Sequence, residues 1–131
     1  MSGHSLSPNF VFLKRHEPQL VKLGTLAERY FTDDPCTCLI KLRQFAELLA
    51  QLTAANSGLY QNHRESQLDL LRRLRDRGLV RGDIYNLFNE IRRAGNRATH
   101  DMAGNHRTAL DTLKFARKSG IWVHQTLNCI V

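Results

Sequence analysis

Residues 34–56 read DPCTCLIKLRQFAELLAQLTAAN, and this stretch decides the fold class. Asp34 and Pro35 predict the start of a helix, because aspartate is a good helix cap and proline is tolerated in the first turn. The apolar residues that follow recur at helical spacing: Leu39, Leu42, Phe45, Ala46, Leu49 and Leu52, with Ile40 and Leu48 widening the stripe. A helix that is apolar around so much of its circumference is predicted to be central or to lie at a subunit interface.

Similar signals predict helices before and after this stretch. Pro18 stands at the first position of a helix expected to run to Phe31, and its predicted inward residues are Leu20, Leu23, Leu26, Ala27 and Tyr30. Ser66, with Asp69 three residues later, predicts the cap of a third helix that Gly78 ends. The residues expected to face inward on this helix are Leu68, Leu71 and Leu74.

A fourth helix is predicted to be capped by Asp83, and Gly104 and Asn105 separate it from a fifth, from about His106 to Asn128. The inward residues predicted for the fifth helix are Leu110, Leu113, Ala116, Val123 and Leu127. Strand-like alternation is absent from the sequence. The predicted fold is therefore all-α, a bundle of four to five helices with short connections.

The chain length and composition favour one domain with one core, since 42% of the 131 residues are hydrophobic. Residues 1–17 are predicted to be an N-terminal segment that packs on this core through Phe10, Phe12 and Leu13. Residues 18–131 are predicted to form the helical bundle domain.

Neither a membrane nor a metal is expected as a partner. No apolar run approaches the ~18 residues that a membrane span needs, and the first residues lack the pattern of a signal peptide, so a cytoplasmic location is predicted. Cys36 and Cys38 are too close for an ordinary disulfide, and Cys129 is remote. Two packed thiols are the preferred interpretation, because a structural zinc needs four ligands. No cofactor is predicted.

The charge of the chain is the first indication of function. Its 19 lysines and arginines against 12 aspartates and glutamates give a net charge of +7, which favours polyanions. A cluster on the third helix is predicted to contribute to weak, sequence-tolerant nucleic-acid binding: Arg72, Arg73, Arg75 and Arg77. The alternative is that the basic surface docks on an acidic protein partner.

The fourth helix carries the chemistry of greatest interest. Its predicted core stripe is Ile84, Leu87, Phe88, Ile91, Gly95 and Ala98. On the opposite face, spacings of three, four and seven residues align a polar ridge, which consists of Arg93, Asn96, Arg97 and His100, with Asn89 nearby. A guanidinium, an amide and an imidazole suit a phosphodiester. The plain alternative is a solvated helix face that happens to contain one histidine.

Residues 91–101, IRRAGNRATHD, resemble the Arg-x(4 to 6)-His pattern of the HEPN-like helical superfamily, with Arg93 and His100 as its two ends. The same segment also contains an Arg-x-x-Gly-Asn-x-Ala-x-His pattern that begins at Arg92 and resembles one in the N-terminal helical domain of some type I restriction enzyme R (motor) subunits. Residues 34–47 and 109–127 also resemble that domain, so the likeness extends from about Asn9 to Leu127. It implies a HEPN-like bundle.

The resemblance implies two different functions. Nuclease members of the superfamily use the arginine and the histidine in metal-independent RNA cleavage, often across a dimer, so Arg93 and His100 are the catalytic candidates under that hypothesis. Such enzymes commonly carry a polar residue directly after the arginine, whereas this chain has Ala94 there, with Asn96 as the nearest substitute. Ala94 argues against an active ribonuclease.

The chain lacks the motor and nuclease motifs of an R subunit. It contains neither a Gly-x4-Gly-Lys-[Ser/Thr] phosphate loop nor an Asp followed by Glu-x-Lys, so ATP hydrolysis and metal-dependent DNA cleavage are not encoded. We therefore expect this chain to be either an N-terminal domain of an ATP-dependent restriction endonuclease or a free-standing relative of that domain.

Three hypotheses follow from these patterns. The leading one is a non-catalytic accessory domain of a type I restriction endonuclease R subunit that contributes nucleic-acid affinity or subunit assembly. The second is a HEPN-type metal-independent ribonuclease, and the third is a purely structural dimerisation domain. The expected partners are nucleic acid, other domains or subunits of a restriction complex, and a second copy of the chain.

Overall fold

A computed structural model describes residues 6–59 and 64–128, and in these residues it contains helices and no strand. A short 3-10 turn, Val11–Leu13, precedes five α-helices: α1 (Pro18–Tyr30), α2 (Pro35–Asn56), α3 (Gln67–Asp76), α4 (Gly82–His100) and α5 (His106–Asn128). The all-α prediction is confirmed.

Side-chain caps begin the helices at several of the predicted positions. The carboxylate of Asp34 accepts a hydrogen bond from the backbone amide of Thr37 at 3.0 Å, and the hydroxyl of Ser66 accepts one from the amide of Asp69 at 3.1 Å. The cap predicted at Asp83 is wrong: α4 begins one residue earlier, at Gly82, with Arg81 as its cap. Asp83 lies in the first turn, where its carboxylate accepts hydrogen bonds from the Arg81 guanidinium.

The second helix is the centre of the bundle. It contacts α1, α3, α4 and α5, and its Leu39, Leu42, Phe45 and Leu49 are fully buried. The apolar residues that widen its stripe, Ile40 and Leu48, are partly buried against the same core. The breadth of the apolar arc therefore reflects the number of helices that surround α2, as the sequence indicates.

The N-terminal segment covers one end of this core. Phe10 is buried with its ring edge-on to Phe45, at 5.2 Å between centroids. Its ring also lies against Gly24, where a Cβ atom would come within 2.5 Å of the ring carbons, so α1 needs a residue without a side chain there. Leu13 is fully buried beside Gly120 of α5.

A histidine pair joins the same segment to α5. Nε2 of His16 lies 2.9 Å from Nδ1 of His124, and the ring of Phe12 packs edge-on against His124. Burial, the neighbouring His124 and the charge of Arg15 lower the pKa of His16. The pair thus favours a neutral imidazole at the contact between the two elements.

Several predicted inward positions are wrong, and their neighbours explain why. In α5, Leu110 is 41% exposed, and the buried face consists of small residues that let the helix approach its neighbours closely: Ala109, Thr112, Ala116, Ser119, Gly120 and Val123. In α3 the inward position is Leu70 rather than the half-buried Leu68. Tyr30 at the end of α1 is 39% exposed.

The buried face of α4 is wider than its apolar stripe. Leu87 packs against the core as predicted, although it is only partly buried. Asn89, predicted to lie near the polar ridge, is 6% exposed and buried instead. Its amide oxygen accepts a hydrogen bond from Nε of Arg92 at 3.3 Å, which offsets the cost of burying a polar group. Ala94 is also buried.

The stability cost of shortening α4 side chains should follow this burial. We expect Ile91→Ala to lower the free energy of unfolding by about 2–5 kcal/mol, because Ile91 is fully enclosed. Leu87→Ala should cost less, about 1–2 kcal/mol, because part of the side chain already meets water. Urea denaturation followed by circular dichroism measures both. Equal losses would contradict the orientation of α4.

Candidate nucleic-acid interface

The second half of α4 lies directly against α2 at Gly95. A Cβ atom on Gly95 would come within 2.4 Å of Cβ of Arg43, a separation that real side chains do not adopt. The two helices can therefore be this close only because position 95 has no side chain. The contact leaves the Arg43 side chain lying across α4.

Arg43 connects α2 to the polar residues of α4. Its Nη1 donates to Oγ1 of Thr99 at 3.1 Å and to Oδ1 of Asn96 at 3.3 Å. Its Nε is buried without a hydrogen-bond partner, and Glu47 lies 3.8 Å away. Arg43 was not among the predicted site residues. Its only signal in the sequence is that it is the one arginine of α2, and it stands there among the polar residues Lys41, Gln44 and Glu47.

The predicted ridge is largely on the surface. Arg93, Arg97 and His100 are exposed on α4, whereas Asn96 is half-buried and held by Arg43. Arg93 forms an ion pair with Glu90 at 3.0 Å, with both side chains more than half exposed. Such a pair is weak and readily exchanged. Arg97 and His100 have no side-chain hydrogen bond to any residue of the described chain.

The three arginines of α3 and Arg77 at its C-terminal end do not form one open patch. Arg73 is held by the Glu65 carboxylate at 2.6 Å and also donates to the carbonyl of Leu59, so it fixes the approach to α3. Arg75 lies over the ring of Tyr85, 4.5 Å from its centroid. Arg72 and Arg77 are exposed.

Tyr85 interacts with two of the α3 arginines, Arg72 and Arg75. A hydrogen bond with Asn89, and then the neighbouring Arg75 and Arg72, lower the pKa of the Tyr85 hydroxyl. The aromatic ring and the hydroxyl thus give two of the α3 arginines an intramolecular neighbour. The α4 ridge, with Arg97 and His100, offers more readily available cationic and imidazole groups than α3 does.

The residue directly after Arg93, Ala94, does not lie on the ridge. Ala94 is 3% exposed and packs in the core, so a polar residue at that position would point towards the bundle rather than beside Arg93. Asn96, the nearest polar substitute, is already bound to Arg43. The ridge can therefore offer positive charge, a hydrogen-bond donor and an imidazole, without a third polar group next to the arginine.

The structure describes two cysteines, the partly buried Cys36 and the buried Cys38. Burial raises the pKa of the Cys38 thiol to about 12, so it is inert. Cys36 donates to the carbonyl of Met102 at 3.3 Å and fixes the loop after α4. Cys129 lies outside the described residues.

In residues 6–59 and 64–128, no three or more histidines, cysteines or carboxylates are grouped as a metal site requires. None of the helices there has the length and apolar character of a membrane span.

Comparison with known proteins decides the family. The family described as Domain of unknown function (DUF4145) matches residues 25–119, which is most of the chain. The chain belongs to this family. It is also 34% identical, over 119 residues, to a protein of Escherichia coli (strain K12), the type I restriction enzyme EcoKI endonuclease subunit.

The similarity to that relative covers 89% of this chain but only 10% of the relative, so the chain spans about a tenth of its length. It confirms the resemblance to a type I restriction enzyme subunit. No solved structure matches the chain. The family match extends from the second half of α1 into α5.

Adding a side chain at position 95 should destabilise the contact between α2 and α4. We expect Gly95→Ala to lower the free energy of unfolding by about 1–2 kcal/mol, because the strain of overpacking exceeds the gain of about 1 kcal/mol in helix propensity. Gly82→Ala is the matched control, because no atom lies within 4 Å of a Cβ at that position. It should cause no loss. Urea denaturation measures both, and a stabilised Gly95→Ala protein would refute the close contact.

Proposed function

We propose that this chain is a non-catalytic accessory domain of a type I restriction system, and that it binds nucleic acid through the exposed ridge of α4. The observation that carries the proposal is the pair Arg97 and His100, which are exposed on one helix face without intramolecular partners in the described chain. The net charge of +7 adds long-range attraction to a polyanion. The similarity to a type I restriction enzyme subunit supplies the biological setting.

The ridge suits phosphate better than base recognition. Arg93 and Arg97 can contact phosphate oxygens, and His100 can donate to one from the end of the same helix. The short ridge offers no pattern of donors and acceptors matched to a base edge. Binding should therefore be weak, sequence-tolerant and salt-dependent. Arg72 and Arg77 of α3 are secondary candidates because they are exposed.

The fold and the setting of the domain complete the proposal. We take the bundle to be HEPN-like on the strength of the sequence pattern between Arg93 and His100, and expect a cytoplasmic location. Other domains or subunits of a restriction complex are its expected partners. No cofactor is assigned to it.

Binding should depend on the ridge in a measurable way. We expect Arg93→Ala plus Arg97→Ala to weaken binding of a labelled DNA duplex at least tenfold at low salt, and to make the slope of log K against log salt shallower by about 2. Fluorescence anisotropy measures both. The matched control is Lys22→Ala plus Arg107→Ala, which removes the same charge from exposed positions elsewhere. It should weaken binding much less.

Equal losses in the two double variants would reject the ridge as the site, and absence of duplex or RNA binding by the wild type at low salt would reject the function. All four substitutions are exposed, so helicity should not change. RNA cleavage in the presence of a chelator that disappears in His100→Ala would instead establish the ribonuclease hypothesis. The buried Ala94 argues against that result.

A further inference from the structure

A groove runs between α5 on one side and α1 with the N-terminal segment on the other. Asn9, Phe10 and Glu28 line one side, and Leu110 and Leu113 line the other, around a volume of 210 Å³. The groove lies away from the α4 ridge in sequence and uses none of its residues. Its lining is mostly apolar.

The groove continues along α5. Lys114 and Arg117 line both this groove and an adjoining hollow that also contains Lys118 and Ile121. The residues recur at intervals of three and four, so they lie on one helix face: Leu110, Leu113, Lys114, Arg117, Lys118 and Ile121. At 1.5 Å per residue this face is about 16 Å long, enough for three turns of a partner helix.

The apolar part of this face is exposed. Leu110 is 41% exposed although the helix pattern predicts it in the core. A single exposed leucine needs no explanation. Here, however, it borders a groove that also contains the half-buried Leu113, and the hollow along the same face contains the half-buried Ile121. Covering these side chains would remove apolar surface from water.

The charged part of the face lacks neutralising partners. Lys114, Arg117 and Lys118 are exposed and form no ion pair with any residue that the structure describes. Two turns before Lys114, Arg107 is paired with Asp111 at 3.4 Å. Glu28, the one carboxylate among the residues that line the groove, accepts a hydrogen bond from Asn9 at 2.7 Å, so the three neighbouring cations leave a local positive field that an acidic partner would complement.

We propose that this α5 groove binds an acidic amphipathic segment of a protein partner, with leucine-like side chains in the groove and carboxylates on Lys114, Arg117 and Lys118. Nucleic acid could satisfy the cations, but its phosphate backbone gains nothing from Leu110 or Ile121. An amphipathic peptide satisfies both parts of the surface, and laying its apolar face into a groove is a common mode of recognition. The site is independent of the nucleic-acid ridge on α4.

The probe for this site is a labelled synthetic amphipathic helical peptide with leucines on one face and glutamates on the other. Wild-type protein should raise its fluorescence anisotropy, and a peptide with lysines in place of the glutamates should not bind. We expect Leu110→Ser to weaken peptide binding about tenfold, because the contact loses most of a leucine side chain. Lys114→Glu plus Arg117→Glu should abolish it.

The matched control is Arg72→Glu plus Arg77→Glu, which reverses two exposed charges on α3. Its peptide affinity should stay within about twofold of wild type, because neither residue lines the groove or the adjoining hollow and salt screens exposed charges. Leu110→Ser should leave binding of a DNA duplex unchanged. The peptide test can therefore fail while the ridge hypothesis stands, and the ridge hypothesis can fail while peptide binding is observed.

Equal weakening in the two charge-reversal variants would overturn the proposal, because the attraction would then be a property of net charge. So would peptide binding that is insensitive to Leu110→Ser, or absent altogether. Loss of duplex binding in Lys114→Glu plus Arg117→Glu, with peptide binding intact, would assign the face to nucleic acid. Circular dichroism checks the fold, and the charge-reversal pair decides the question if Leu110→Ser loses helicity.

Discussion

The close contact of α2 with α4 at Gly95 is the constraint on which the rest of the bundle depends. Since α2 contacts every other helix, the position of α4 against it determines which α4 residues enter the core and which meet solvent. Arg43 crosses the contact and binds Asn96 and Thr99. A helix that packed farther away would lose these hydrogen bonds and leave the half-buried Arg43 guanidinium without its partners on α4.

The sequence predicted the helices well and their buried faces less well. Capping chemistry is local, so Asp34 and Ser66 could be recognised from their neighbours alone. Burial depends on the helices that surround a residue. Leu110 is apolar but lies outside the buried face of α5, because small residues form the contact between α5 and the core. Asn89 is polar but is buried, because a nearby arginine satisfies its amide.

The candidate site divides in the same way. The alignment of Arg93 with His100 follows from helical periodicity, which needs no tertiary information. The role of Arg43 could not be predicted, since nothing in a single sequence states which residue of α2 lies opposite Gly95. The commitment of Arg73 to Glu65 likewise depends on how the chain returns from α2 to α3. The comparisons identified the family but not these contacts.

Native-state hydrogen exchange tests most directly whether α2 and α4 form one packed unit. The account predicts that amides of α2 around Phe45 and of α4 around Ile91 exchange slowest, and with the same free energy of opening as global unfolding. Gly95 would then mark a contact that breaks only when the whole bundle opens. Exchange of the α4 amides at a clearly lower free energy, while α2 stays protected, would contradict the account.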